Sequence, residues 1–280
     1  MAAGLGDGSG TAEFDLRAYL QRVGLDPDAA PGVVELPRAH SLAIPFENLD
    51  PHNGEPVSLD AVDLQRKLVG ARRGGYCFEQ NLLLAAALRA LGARVELYLA
   101  RVRYRAVDGV VRPRSHLVLE VEAAGERWHA DVGFGLGSPL EPLPWGPGPE
   151  CEIAGWRYRV VRDGGELVLQ MHERHGWSDL YGFVPEPVHP VDVETINWWV
   201  CTYPRSPFVT GLIASTQRAD GTRVTLSDWD GLTVSERTPA AETVTPVRPE
   251  AVPELLREHF ALDGFELRDG PEGPPRIVPA

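Results

Sequence analysis

The chain has little cysteine. Three thiols in 280 residues, Cys77, Cys151 and Cys201, are too few and too far apart for a disulfide framework or a zinc-ligand pattern, and no metal is expected. A working thiol suits a reducing compartment, so a cytoplasmic location is expected. Positive charge is scarce as well: 27 Lys and Arg stand against 40 Asp and Glu, a formal net charge of −13. Such a surface has no non-specific grip on a phosphate backbone. That excludes nucleic acid as a partner but leaves room for a small anionic substrate at a local cluster of donors. Residues 1–12 have neither a basic n-region nor an apolar h-region, and they do not read as a signal peptide. Long hydrophobic runs are missing too. The most apolar stretch, 78–91, is too short and too interrupted by polar residues to span a membrane, so no membrane partner is expected. There is no internal repeat.

What is present is ordinary globular material, with 43% hydrophobic and 24% charged residues. The length suits two domains, or one large domain with subdomains. Residues 1–12 are expected to be disordered. Apolar spacing predicts helices over 14–23, 31–44 and 60–69, ahead of the run at 78–91. After Gly92 the pattern turns to alternation, first at Val95, Leu97 and Leu99, then at Leu117, Leu119 and Val121. A short strand over 128–132 and a hairpin around Asp163-Gly164-Gly165 follow, so a sheet or barrel is expected over roughly 93–200. Strands over 212–217, 223–226 and 232–236, a helix over 252–260 and a loose Pro/Gly-rich tail over 270–280 complete an α+β chain.

The most informative stretch is Arg72-Arg73-Gly74-Gly75-Tyr76-Cys77-Phe78-Glu79-Gln80-Asn81. Gly74 and Gly75 suit a tight turn of the kind that residues with a Cβ avoid. The helix-forming run behind them puts Cys77 at or near a helix N-terminus, where free N–H groups and the dipole favour an anion. A lone cysteine is usually inert packing. Two arginines and two glycines ahead of it are poor core material and suit a nucleophile instead.

A cysteine nucleophile needs a base and a group to orient it. Strands 115–122 and 127–132 meet at Ala123-Ala124-Gly125-Glu126. If Glu122 faces Arg127, His116 faces Gly133, and Asp131 lies two positions away on the same face. His129 shares the parity of Asp131 and is the rival base, deeper in the hairpin opposite Glu120. His172, His175 and His189 fall in predicted polar loops, and His40 and His259 on predicted helices. Gly133-Phe134-Gly135-Leu136-Gly137 resembles a nucleotide fingerprint, but a proline-rich loop follows it where a helix is required. It suits a channel wall beside Asp131 or a plain turn.

Five ordered blocks together resemble a known family. They are Ile44-Pro45-Phe46-Glu47-Asn48-Leu49, the block from Arg73 to Asn81, Ser115-His116, Asp131-Val132-Gly133-Phe134-Gly135, and Asn197-Trp198 with Thr202-Tyr203-Pro204-Arg205-Ser206-Pro207-Phe208. Over nearly its whole length the chain resembles the arylamine N-acetyltransferases, bacterial type. The resemblance implies a helical N-terminal domain (13–92), a central β-barrel (93–204) and a C-terminal α/β lid (205–269). It also implies a Cys77-His116-Asp131 triad in a cysteine-protease-like arrangement. The implied chemistry is ping-pong acyl transfer from acetyl-CoA, through acetyl-Cys77, to an arylamine, arylhydrazine or arylhydroxylamine. Phe46, Phe134 and Phe208 would line the acceptor pocket, Ser115 and Gly135 would approach the cofactor or substrate, and Glu47 with Arg73 would brace the nucleophile loop. Trp199, Cys201 and Tyr203 depart from the tyrosine, serine and histidine of many bacterial relatives. The alternatives are an amide synthase of the same family, joining a polyketide acyl chain to an aromatic amine, a papain-like protease, and a binding module with a vestigial site.

Overall fold

The computed structural model describes residues 14–107, 109–270 and 273–280; the expected disorder of 1–12 lies outside them. Helix α1 (Leu16–Arg22) starts on Asp15, whose carboxylate accepts the Ala18 N–H at 3.0 Å. Arg22 is buried and donates to the carbonyls of Leu68 and Ala43 at 2.9 and 2.7 Å, tying the first helices together. Helix α2 (Glu35–Ala43), strand β1 (Phe46–Glu47), α3 (Leu49–His52) and α4 (Ala61–Leu64) follow, and α4 runs into a π-helical turn, Gln65–Gly70. Helix α5 (Cys77–Ala90) is buried along almost its whole length, so its apolar residues form no single stripe.

The central layer is an eight-stranded, near-barrel sheet. Its strands are β2 (Arg94–Val102), β3 (His116–Ala123), β4 (Glu126–Ala130), β5 (Leu143–Pro144), β6 (Cys151–Ile153), β7 (Trp156–Asp163), β8 (Glu166–Glu173) and β9 (Gly176–Phe183). Their order is β5-β4-β3-β2-β9-β8-β7-β6, so β5 and β6 are the edges. Leu117, Leu119 and Val121 pack toward α5, while Val118, Leu169 and Tyr181 fill the opposite side of the sheet.

The region expected to be sheet as far as 200 ends earlier. Helix α6 (Pro190–Thr202) buries Val193, Asn197, Val200 and Cys201. Its start is marked by Pro190 at the first helical position and by Asp192, which accepts the His189 N–H at 3.0 Å. After α7 (Pro207–Thr210), a second sheet has the order β1-β10-β11-β12-β13, with β10 (Ile213–Gln217), β11 (Arg223–Ser227), β12 (Thr233–Arg237) and β13 (Glu242–Pro246). Helix α8 (Val252–Phe260) covers it through Val252, Leu256 and Phe260. The tail expected to be loose over 270–280 instead carries β15 (Gly273–Pro279), antiparallel to β14 (Phe265–Gly270).

Candidate active site

Cys77 is the first residue of α5, and the turn before it differs from the sequence expectation. Gly74 and Gly75 do not adopt left-handed angles; Arg72 does, at φ 53°. Glycine is required for closeness instead. A Cβ on Gly74 would lie 2.3 Å from the Pro45 carbonyl oxygen, and one on Gly75 would lie 2.6 Å from Glu79 Oε2. The segment from Pro45 to Glu47 lies against this turn, with the Glu47 N–H donating to the Gly75 carbonyl at 3.1 Å.

A chain of alternating charges braces the turn. Arg73 donates to Glu47 Oε1 at 3.0 and 2.8 Å and to Asp50 Oδ1 at 2.7 Å. Lys67 Nζ bridges Asp50 Oδ2 at 2.7 Å and Glu79 Oε1 at 2.6 Å. Glu79 then accepts the Tyr76 N–H at 3.0 Å, closing the N-terminus of α5. Burial, and after it the nearby Glu47 charge, push the Glu79 carboxyl up to about 7 against the pull of Lys67.

The β3–β4 register is the one the hairpin arithmetic requires: Glu122 faces Arg127 and Glu120 faces His129. The ladder stops at Leu119 and Ala130, so Asp131 lies one residue beyond it. Its carboxylate accepts His116 Nε2 at 2.8 Å on one oxygen, and the Gly133 N–H and Asn81 Nδ2 at 2.8 and 2.9 Å on the other. Burial would depress the His116 imidazole, but the charge and hydrogen bond of Asp131, and then the Cys77 side chain, outweigh it and raise its pKa. Burial likewise opposes ionisation of Asp131, yet the His116 charge and the three hydrogen bonds hold its pKa below the usual range. Cys77, His116 and Asp131 are each only 2% exposed, and Cys77 Sγ lies 3.6 Å from the Ser115 carbonyl oxygen. This desolvation strengthens every charge interaction among them.

Asn81 ends the block that begins at Arg73, and nothing in the sequence marks its role. It sits one turn after Cys77, on the same helix face. It donates to Asp131 and to the Leu117 carbonyl (2.7 Å), and accepts the Val132 N–H at 3.0 Å. Gly133 is packed against Cys77, where a Cβ would lie 2.6 Å from Cys77 Cα. His129 is not the partner of Asp131: its Nε2 bonds the Tyr181 hydroxyl at 2.7 Å. His172 lies in β8, where a polar loop was expected.

The aromatic candidates fall into two groups. Phe46 and Phe208 meet edge to face at 5.9 Å, and Phe208 also packs on Tyr76 at 5.5 Å. Phe134 packs edge-on against the His116 ring at 5.2 Å. Gly135 joins them, since at φ 75° it leaves 2.9 Å between a notional Cβ and the Phe46 ring. Trp199 stacks on Tyr203 at 5.1 Å, and Cys201 is buried on the same helix. A cavity of about 330 Å³ lies elsewhere, against Glu96, Tyr98, Glu120 and Arg127. Among the described residues, no helix is long and apolar enough to cross a membrane.

Residues 33–265 match the family model described as N-acetyltransferase. An arylamine N-acetyltransferase of Mycolicibacterium smegmatis is 42% identical over 206 residues, 71% of this chain and 75% of the relative. The solved structure of the Nocardia farcinica arylamine N-acetyltransferase superimposes with a TM-score of 0.83 at 39% identity, covering 90% of this chain and 91% of that one. The Mycobacterium marinum arylamine N-acetyltransferase in complex with CoA gives 0.83 at 36% identity, covering 88% and 92%. The protein is thus an acyltransferase. Within that class, the chain belongs to the arylamine N-acetyltransferase family.

Proposed function

We propose that the protein transfers an acetyl group from acetyl-CoA to an arylamine, arylhydrazine or arylhydroxylamine by a ping-pong route through Cys77. The observation that carries this reading is the buried cluster in which Asp131 holds His116 beside the first residue of α5. Asp131 occupies His116 Nε2 and so leaves Nδ1 for the thiol. The resulting thiolate–imidazolium pair attacks the thioester carbonyl. A bond forms from Cys77 Sγ to the acetyl carbon, the bond from that carbon to the CoA sulfur breaks, and His116 gives its proton to the departing thiolate. The amine nitrogen then attacks acetyl-Cys77, His116 takes the proton, and the carbon–sulfur bond breaks to return the thiolate. Free N–H groups at the start of α5 are suited to stabilise the oxyanion of both steps.

Phe46 and Phe208 are assigned to the acceptor wall and Phe134 to the wall over His116, with Ser115 and Gly135 at the approach of the donor. The reading also assigns residues 13–92 to a helical domain, 93–204 to the barrel and 205–269 to a lid, in the cytoplasm. Intact-mass analysis after mixing with acetyl-CoA tests it. One acetyl group should appear on Cys77 and leave on adding an arylamine; an acetyl group on Cys151 or Cys201 rejects the assignment. A longer acyl thioester that loads Cys77 in preference to acetyl-CoA would favour the amide synthase.

A further inference from the structure

Ser215 is 2% exposed on β10, directly opposite Phe46 of β1, so the two side chains share one face of the second sheet. Both meet the same residue in the loop 133–138 that follows β4. The Phe46 ring lies against Gly135, and the Ser215 hydroxyl donates to the Gly135 carbonyl at 2.6 Å. Gly135 is the middle of a three-residue turn: its φ is 75°, and the Leu136 N–H donates across it to the Phe134 carbonyl at 2.8 Å. A three-residue turn at positive φ is the rare, strained form, which persists where its surroundings hold it. On the other side the Phe134 N–H donates to Ser138 Oγ at 2.9 Å. Arg223 of β11 reaches the Ser138 carbonyl only at 3.5 Å, a weaker hold. The turn carries Phe134, whose ring packs on His116 and on Tyr181, each at 5.2 Å.

We infer that Ser215 is a positioning residue: its hydroxyl latches the second sheet onto the Gly135 turn and so keeps Phe134 seated on His116, closed to water. The catalytic consequence rests on the proposed acetyl-Cys77; the latch itself does not. A buried carbonyl that loses its donor must find another, and water is the donor at hand. Without the Ser215 hydroxyl the turn is free to open toward solvent, and Phe134 moves with it, because one peptide unit joins them. His116 then takes a proton from water as readily as from the amine. In that competing reaction the water oxygen bonds to the acetyl carbon, one of its protons goes to His116, the carbon–sulfur bond breaks, and acetic acid leaves the thiolate behind. Phe134 thus keeps the acyl group for the amine, and Ser215 keeps Phe134 in place.

The test loads Cys77 from acetyl-CoA, strips the CoA by gel filtration, and follows loss of the acetyl group by intact mass, first with no amine and then with saturating aniline. Ser215→Ala should hydrolyse acetyl-Cys77 about fivefold faster than the unaltered protein, the scale of one lost hydrogen bond, while transfer to aniline changes by less than about twofold. Ser215→Thr keeps the hydroxyl and should restore the slow hydrolysis. Unchanged hydrolysis in Ser215→Ala, or a lower melting temperature with the ratio of hydrolysis to transfer unmoved, overturns the inference. A second measurement needs no turnover. The Phe134 ring current sets the proton NMR shifts of the His116 ring, and in Ser215→Ala those shifts should move toward their values in Phe134→Leu. Unmoved shifts overturn the latch. If acetyl-Cys77 never forms in the unaltered protein, the functional reading fails, and the His116 shifts still decide this one.

Discussion

Lys67 Nζ stands 2.6 Å from Glu79 Oε1 where the helix of Cys77 begins, and the Glu79 carboxyl group is fully buried. At pH 9, above the value of about 7 to which this carboxyl is raised, removing the cation leaves an uncompensated anion in the interior. Lys67→Met should there destabilise the protein by about 3–5 kcal/mol in urea unfolding. Adding Glu79→Gln should recover most of that loss. A double variant no more stable than Lys67→Met would show that the two groups are not coupled.

Asp131→Asn should keep the fold and lose the chemistry. The amide oxygen still accepts Asn81 and Gly133, but the amide nitrogen then faces His116 Nε2. The imidazole must accept there, which moves its proton to Nδ1, the atom needed bare beside the thiol. A fall in kcat of about 10⁴-fold is expected from the same change in a serine triad. The check is steady-state kinetics with melting curves alongside, and a near-normal rate rejects the orienting role.

His40, on α2, bridges α1 and α5 through the Tyr19 O–H at 2.8 Å and Gln80 Oε1 at 2.6 Å. Burial lowers its pKa from 6.5 to about 4. The folded value is depressed, so the unfolded chain takes up the proton first. The stability from neutral His40 is present above pH 6.5 and is lost as the pH falls toward 4. At pH 5 the loss from this group is about 2 kcal/mol. Between pH 7 and pH 5, urea unfolding of His40→Gln should therefore lose about 2 kcal/mol less than the unaltered protein. Glu79, whose raised pKa works in the opposite direction, is common to both and cancels. Parallel pH profiles would reject a neutral buried His40.

Phe208→Ala removes the ring packed on Phe46 and Tyr76. The arylamine half-reaction should slow about tenfold, the value of a lost aromatic contact, and acetylation of Cys77 should stay within about twofold. Stopped-flow measurement of each half-reaction separates the two. Equal losses in both steps would remove Phe208 from the acceptor wall.

Some of this was legible in the chain. The β3–β4 register could be counted because Ala124 and Gly125 take left-handed angles, φ 54° and 81°, the two-residue turn that suits a hairpin. Cys77 could be put at a helix start because glycines, an apolar run and Gly92 frame that helix. What could not be read depends on neighbours distant in sequence. Gly74 is glycine because Pro45 lies on it, and Asn81 matters because β3 and the Asp131 turn come to meet it. Helix α6 hid because its apolar residues spread around the axis, although Pro190 and Asp192 marked its start. β13 is exposed along its length, so no alternation announces it. The β14–β15 pairing lay in a segment whose prolines and glycines suggested a tail.

Strand β1 has its hydrogen-bonding partner far along the chain, with Phe46 opposite Ser215 and Glu47 opposite Ala214. At a ribosomal rate of about 5–20 residues per second, Phe46 emerges on the order of ten seconds before the strand that completes its sheet. During that interval the nascent polypeptide has Phe46 on an edge that lacks its β10 partner, in the same region of chain as the thiol of Cys77. Ribosome-stalled chains ending near residue 204 should therefore bind holdase chaperones and react readily with alkylating reagents. Chains extended beyond β11, far enough to clear the exit tunnel, should lose both properties together.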